Sequence, residues 1–389
     1  MKILMISDVY FPRINGVSTS IMTYRRALRE RGHRVTLIAP EYNERVEDES
    51  DIIRIPSRSL IVDKEDRMMK ATKIYGLKGE LVRENFDIIH IQTPFVAHYV
   101  GVSLARRLNV PRVESYHTFF EEYLQHYVPF VPKPVLRFIA RRFSASQCNG
   151  VDALIVPSGP MLEVLRGYGV NTPAEIIPTG INLKGFTGGD GEAFRRRYGI
   201  PMDRPVLITV GRVAFEKNID FLIRVADAVR RAIPDVFLII AGGGPAVASL
   251  KRLVGQLDLD DHVLFAGYLA YDKELLDCYR AADVFIFASR TETQGLVLLE
   301  AMAMGVPVVS TAVMGTKDIL YGARGAVVAQ EDLDDFAGKV VSVLNDPKLR
   351  RTLSGEALRD VGKWSEERLV TAMIALYERV VASRHAPRT

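Results

Sequence analysis

ADVFIFASRTETQGLVLLEAMAMGVPVV, residues 282–309, reads as a strand, a tight polar loop, a short helix and a second strand. Val284–Phe287 is a short run of branched and aromatic residues of the kind that fills a buried strand. The loop that follows is polar and ends in glycine. The helix is expected to begin about Gly295 and to stop at Gly305, a residue type suited to the left-handed close of a helix. Val306–Ser310 is then the next strand. Helix and strands are apolar on nearly every side, which predicts parallel strands joined by a helical crossover, with both sheet faces covered.

The same alternation extends in both directions. Towards the N-terminus, strand-like runs fall at Ile3–Ser7, Arg34–Ala39, Ile52–Ile55, Asp87–Gln92, Arg112–Ser115, Ala153–Val156 and Glu175–Ile177, with amphipathic stretches such as Ser18–Arg31 and Gly101–Leu108 between them. The pattern restarts at Val206–Val210 and continues through Val236–Ala241, Val263–Ala266, Val284–Phe287, Val306–Ser310 and Ala326–Val328. Thr187-Gly188-Gly189-Asp190-Gly191 is a polar, glycine-rich junction. The expected architecture is therefore α/β: two Rossmann-like domains, residues 1–185 and 186–365. Ligands are expected in a cleft at strand carboxyl ends. A final amphipathic run from about Glu366 carries Leu369, Met373, Leu376 and Val380 at helical spacing.

Composition narrows the function. The 389 residues suit two domains, and 25% charged with 48% hydrophobic residues is a globular profile. A net charge of +4 is too small for a dedicated nucleic-acid binder. Cys148 and Cys278 cannot form a disulfide framework, so a reducing compartment is expected. The first apolar run is too short for a signal peptide, and no run approaches the roughly 20 apolar residues that cross a bilayer. These features predict a cytoplasmic protein.

Four segments carry candidate chemistry. In the opening stretch, Glu292 precedes the helix and Glu300 lies within it, seven residues between them. A single Glu on a helix is ordinarily solvated, but Glu300 is flanked by Leu296–Leu299 and Ala301–Met304, and a buried carboxylate needs a partner. Gly295 and Leu296 open the helix, where backbone N–H groups suit a diphosphate. Second, Gly211-Arg212 and Lys217 follow a strand; a guanidinium and an ammonium five residues apart suit a diphosphate clamp, the plainer alternative being a surface ion pair. Third, Tyr10–Val17 places Gly16 at the mouth of a helix. Fourth, His117 follows Arg112–Ser115, where a lone His is more often a packed bystander. Gly242-Gly243-Gly244 starts like a dinucleotide fingerprint, but position 247 is Val, so no nicotinamide cofactor is expected. Asp258-Leu259-Asp260 and Asp332-Leu333-Asp334 read as loops or caps rather than metal ligands. No His/Cys cluster has metal-ligand spacing, so neither metal nor cofactor is expected.

The Glu-x7-Glu pair before Ala-Met-Ala-x-Gly-x-Pro-Val-Val resembles family 4 of the retaining glycosyltransferases, of the GT-B fold. That resemblance implies a nucleotide-sugar donor held by the second domain and an acceptor held by the first, with the last helix, about residues 366–383, crossing back onto the first. It implies that Glu292 meets the donor sugar and Glu300 the ribose hydroxyls. Arg212 and Lys217 then neutralise the diphosphate, Gly16 lies near it, and His117 contacts the donor sugar. It also implies a metal-independent, retaining transfer. Asn15-Gly16 replaces the family's frequent Gly-Gly, which leaves Asn15 without a role, and Thr316-Lys317-Asp318 departs from its usual Gly-Pro-Glu.

Tyr116–Leu124 and Arg290–Gly295 are further similar to bacterial diacylglycerol glucosyltransferases and related glycolipid synthases. In that light Lys133, Arg137, Arg141 and Arg142, interleaved with Phe138, Ile139 and Phe143, suit an anionic membrane surface; an ordinary core-facing helix suits the same pattern. UDP-glucose and a lipid such as diacylglycerol are the first expectation. GDP-mannose is the second donor, and a soluble or polysaccharide acceptor is the second acceptor. The rivals are a non-catalytic nucleotide-binding protein of this fold and a sugar-nucleotide epimerase.

Overall fold

In the computed structural model the described residues are 1–43, 49–59, 67–117, 119, 131–270 and 273–385. They form two compact units: Met1–Gly180 with Glu366–Thr389, and Ile181–Ser365. The division falls slightly before the glycine-rich junction. Ile181 is already buried in the second core and donates its N–H to Trp364 O at 2.9 Å.

The first unit contains β1 (Lys2–Ile6), β2 (Arg34–Pro40), β3 (Ile52–Ile55), the short antiparallel pair β4 (Ser57–Ser59) and β5 (Arg67–Met69), then β6 (Ile88–Ile91), β7 (Arg112–Ser115), β8 (Ala153–Val156) and β9 (Ala174–Ile176). Its sheet runs β3-β2-β1-β6-β7-β8-β9, all parallel. The second unit contains β10 (Val206–Val210), β11 (Phe237–Ala241), β12 (Val263–Gly267), β13 (Val284–Phe287), β14 (Val308–Thr311) and β15 (Ala326–Ala329), ordered β12-β11-β10-β13-β14-β15, again parallel. Each sheet reverses direction of growth once, at β1/β6 and at β10/β13. Chains leaving the carboxyl ends of those strands diverge, and ligands of such sheets bind where they diverge.

The C-terminal helix, Glu366–His385, packs on the helix Gly16–Glu30 and the first sheet. Val370, Met373, Leu376, Tyr377 and Val380 are buried there with Ile21, Tyr24 and Leu28. The expected apolar stripe is displaced at its start: Leu369 is only half-buried and Val370 takes the core position, in step with Met373 and Tyr377. Glu366 pairs with Arg26 at 2.5 Å.

Polar groups are sealed into this unit. Asp8, just past β1, accepts from Thr93 Oγ1 at 2.8 Å and from Ala97 N, and so caps the helix Val96–Leu108. Burial pushes its carboxyl up to about 6. His90, in the middle of the sheet, is fully buried; its Nε2 lies 2.8 Å from Ser115 Oγ, and its Nδ1 lies 2.6 Å from the Tyr377 hydroxyl. Burial holds its imidazole down at about 3.

These two shifts act oppositely on stability. The unfolded chain protonates histidine near pH 6.5, and native His90 stays neutral until about pH 3, so its contribution is lost as pH falls through that window. Asp8 takes up its proton near pH 6 in the native state but only near 4 when unfolded, so it favours the native state as pH falls from 6 to 4. In urea unfolding followed by circular dichroism between pH 7 and 4.5, His90→Gln should flatten the acid-side loss by up to about 1.4 kcal/mol per pH unit. Asp8→Asn should steepen it. Unchanged slopes in both variants would mean that neither group is sealed as described.

Candidate active site

In the second unit, β10 ends at Val210 and the chain turns through Gly211-Arg212-Val213 into a single 3-10 turn, Phe215–Lys217, and then the helix Ile219–Arg230. The glycine triplet after β11 supports this loop. Val213 N donates to Gly243 O at 2.8 Å, and a Cβ at Gly242 would sit 1.9 Å from Gly211 O. Gly242–Gly244 therefore lets one backbone lie against another, which explains a dinucleotide-like string without a dinucleotide.

The strand β13 delivers the second loop. Lys217 Nζ donates to Glu292 Oε1 at 2.5 Å, with the two side chains only 22% and 19% exposed. Two of the sequence candidates, 75 residues apart, are thus in direct contact. Gly315 braces the loop from behind: its N–H donates to Glu292 O at 2.9 Å, and a Cβ there would lie 1.9 Å from Thr293 O. Gly295, with φ of 100°, caps the helix Leu296–Ala303, and Leu296 is its first, half-buried residue. Glu300 is buried, and the partner its burial demands is supplied by the protein, since the Tyr279 hydroxyl donates to Glu300 Oε2 at 2.9 Å. The need for a partner therefore does not by itself point to a ligand. Arg212, half-buried, lies on the same loop as Lys217.

Glu331, between β15 and the helix Leu333–Asn345, is a residue the sequence reading passed over. Its carboxylate accepts from two of the Arg290 guanidinium nitrogens, Nη2 and Nε, the latter at 2.9 Å, and from Asn218 Nδ2 at 3.2 Å. Hydrogen bonding from Arg290 holds its carboxyl below the usual range. Asn218 follows Lys217 and Arg290 precedes Glu292 by two positions, so Glu331 ties the two loops together. Its neighbour Asp332 caps the following helix through Asp334 N and Asp335 N. Among the described residues no group of three or more His, Cys, Asp or Glu is placed to hold a metal.

In the first unit, Gly16 is the first residue of the helix Gly16–Glu30, exposed at its mouth. Asn15 is the N-cap, its side chain accepting from Ser18 N at 2.9 Å, which gives that residue a structural role. His117 lies two residues past β7, half-buried, with Nε2 3.1 Å from Gln92 Oε1. Burial pulls its imidazole down to about 4, so it is neutral at pH 7. Of Tyr116–Leu124, Thr118 and residues 120–124 lie outside the described residues.

The cationic stretch is the helix Lys133–Cys148. Leu136, Ala140, Ser144, Gln147 and Cys148 face inward. Lys133, Arg137, Arg141 and Arg142 are exposed, as are Phe138 at 66% and Ile139 at 50%. Phe138 and Ile139 are thus not core residues, whereas Phe143 is half-buried. The Arg141 guanidinium lies over the Tyr168 ring. Among the described residues no helix is long and apolar enough to cross a membrane.

Known proteins match both halves. The Glycosyltransferase Family 4 model matches residues 14–184, and the Glycosyl transferases group 1 model matches residues 190–360. The alpha-monoglucosyldiacylglycerol synthase of Streptococcus pneumoniae is 32% identical over 96% of this chain and 87% of its own length. A GDP-mannose-dependent alpha-mannosyltransferase of Mycobacterium tuberculosis is 27% identical, over 83% of this chain and 82% of its own. In fold, a sucrose-phosphate synthase from Thermosynechococcus elongatus superposes with a TM-score of 0.79 at 23% identity, over 98% of this chain and 99% of the other. With one relative this similar along almost its whole length, and a parallel α/β unit in each half, the chain belongs to family 4 of the glycosyltransferases, of GT-B type.

Proposed function

We propose that the chain moves a glucosyl group from UDP-glucose to a membrane lipid of the diacylglycerol type, keeping the α configuration and using side-chain cations rather than a metal at the diphosphate. The lipid acceptor rests chiefly on one observation, the outward face of Lys133–Cys148, which offers Phe138 and Ile139 among four cations. Apolar side chains flanked by cations suit a surface that is oily beneath and anionic above. The pneumococcal relative, whose name gives an α-glucosylated diacylglycerol as its product, supports the same choice. The mannosyltransferase relative favours a second reading, GDP-mannose as donor.

In the proposed reaction the bond between the anomeric carbon and the phosphate oxygen breaks, and a bond from that carbon to the acceptor oxygen forms. The hydroxyl proton passes to the departing diphosphate. Charge grows on the leaving group, so Arg212 and Lys217 are the stabilising cations and the N-terminal N–H groups of Leu296–Ala303 add to their field. Glu292 balances Lys217. That keeps a partly buried ammonium from standing alone and aims both groups at one place. Glu292 is assigned to the donor sugar and Glu300 to the ribose. His117, a neutral ring, is assigned to a sugar hydroxyl.

Three outcomes test this reading. Arg212→Ala and Lys217→Ala should each lower transfer on the order of a hundredfold or more, measured as nucleoside diphosphate release with acceptor present; near-normal rates in both would remove the clamp. Release should be fastest with UDP-glucose and diacylglycerol in vesicles and should persist in excess chelator. A faster rate with GDP-mannose would install the second reading, and loss restored only by a divalent ion would remove the metal-free one. Finally, the protein should co-sediment with anionic vesicles more than with neutral ones, and less so as salt screens the charges. A variant with Lys133, Arg137, Arg141 and Arg142 all changed to Gln should lose that preference. Equal binding by the variant would make this an ordinary surface helix.

A further inference from the structure

We propose that Gln92 is a positioning residue for His117: its side-chain amide, oriented from behind by His90 and Tyr377, holds the His117 ring as the Nε2–H tautomer. The inference rests on the reading that His117 meets the donor sugar.

Proton bookkeeping along the buried chain gives the direction. Tyr377, on the C-terminal helix, is fully buried, and its hydroxyl has His90 Nδ1 at 2.6 Å. A phenol is a better donor than acceptor, and its proton needs a partner in a place without water. His90 Nδ1 therefore accepts. Burial keeps His90 neutral, so the ring proton sits on Nε2 and donates to Ser115 Oγ at 2.8 Å.

An accepting Nδ1 decides how the Gln92 amide lies. Gln92 is 1% exposed, with one end 3.0 Å from His90 Nδ1 and the other 3.1 Å from His117 Nε2. Turned one way, the NH2 group donates to His90 and the oxygen faces His117. Turned the other way, the oxygen would meet the His90 lone pair with no proton between them, a buried repulsion. The first arrangement avoids that repulsion, the amide N–H sharing the Nδ1 lone pair with the Tyr377 hydroxyl. An amide oxygen can only accept, so His117 Nε2 carries the ring proton.

The consequence is chemical. A neutral His117 protonated at Nε2 has an unprotonated Nδ1, which is an acceptor. It recognises a group that donates, such as a sugar hydroxyl, and cannot donate to a phosphate oxygen. The same chain links this ring to the C-terminal helix through three side chains, Gln92, His90 and Tyr377, all within the first unit.

The test is nitrogen NMR of the full-length protein with ring-labelled histidine, the His117 signals identified by comparison with His117→Gln. The wild type should show a neutral His117 protonated at Nε2; protonation at Nδ1 overturns the proposal outright. Gln92→Leu should mix the tautomers and lower kcat about tenfold or more, with the donor KM changed less than about threefold. If Gln92→Leu does not fold, the wild-type spectrum decides the question. His117→Ala separates the two readings. Near-wild-type transfer in that variant removes His117 from the reaction. An inactive His117→Ala beside a fully active Gln92→Leu leaves His117 in place and overturns the role of Gln92.

Discussion

Two neighbouring strands that run the same way cannot be joined by a hairpin. Each must be returned across the sheet by a crossover connection, usually a helix, and so every loop leaving a strand's carboxyl end emerges on the same edge. Both sheets obey this constraint throughout. Combined with one reversal of strand order in each, it sends two loops in opposite directions from one point. At β1/β6 those loops lead to Gly16 and to Gln92. At β10/β13 they lead to Arg212 with Lys217 and to Glu292. The candidate residues are dispersed in sequence because the strands that carry them are neighbours in space but not in order.

That edge is backbone-rich, and its precision comes from close backbone contact. Gly242 and Gly315 stand where a methyl group would strike a carbonyl of the neighbouring loop. Glu331 then fastens the same two loops through side chains, with Arg290 on one and Asn218 on the other. Lys217 and Glu292 meet because their loops are held from behind, and their short ion pair is as much a result of that bracing as a cause of it. A pair this far buried gives back much of its attraction in lost hydration.

The strands were legible because a strand buried on both faces has no polar alternation to confuse, and the helix Leu296–Ala303 because glycine stands at each end. Glu292, Lys217 and Arg212 stand out as candidates because their motifs are local. What escaped was set by partners far along the chain. Glu331 is one of several acids in Gln330–Asp335, and nothing nearby shows that its partner is Arg290, 41 residues away. Gln92 read as the tail of a strand; its meaning comes from His117 and, through His90, from a helix that begins at Glu366. Glu300 was read correctly as a buried carboxylate in need of a partner, yet Tyr279 is invisible to a search confined to its own helix. Leu369 was displaced by Val370 because a 3.6-residue period lets either register fit until the neighbouring helix chooses.

The two units differ in how they handle charge. In the first, the candidate residue and those behind it are neutral: burial keeps His117 and His90 uncharged at pH 7, and Gln92, Ser115 and Tyr377 complete a chain of dipoles. In the second, two ion pairs stand on the candidate loops, Lys217 with Glu292 and Arg290 with Glu331. A hexose is uncharged and rich in hydroxyls, and a nucleoside diphosphate carries concentrated negative charge. Oriented neutral acceptors discriminate hydroxyl positions without attracting ions. In the proposed function, paired cations would take up a diphosphate by exchanging one anionic partner for another, which spares the site an uncompensated buried charge. The division follows from burial: His90 and His117 are held neutral by the sheet around them, whereas Lys217 and Glu292, on braced loops at a sheet edge, balance each other as an ion pair.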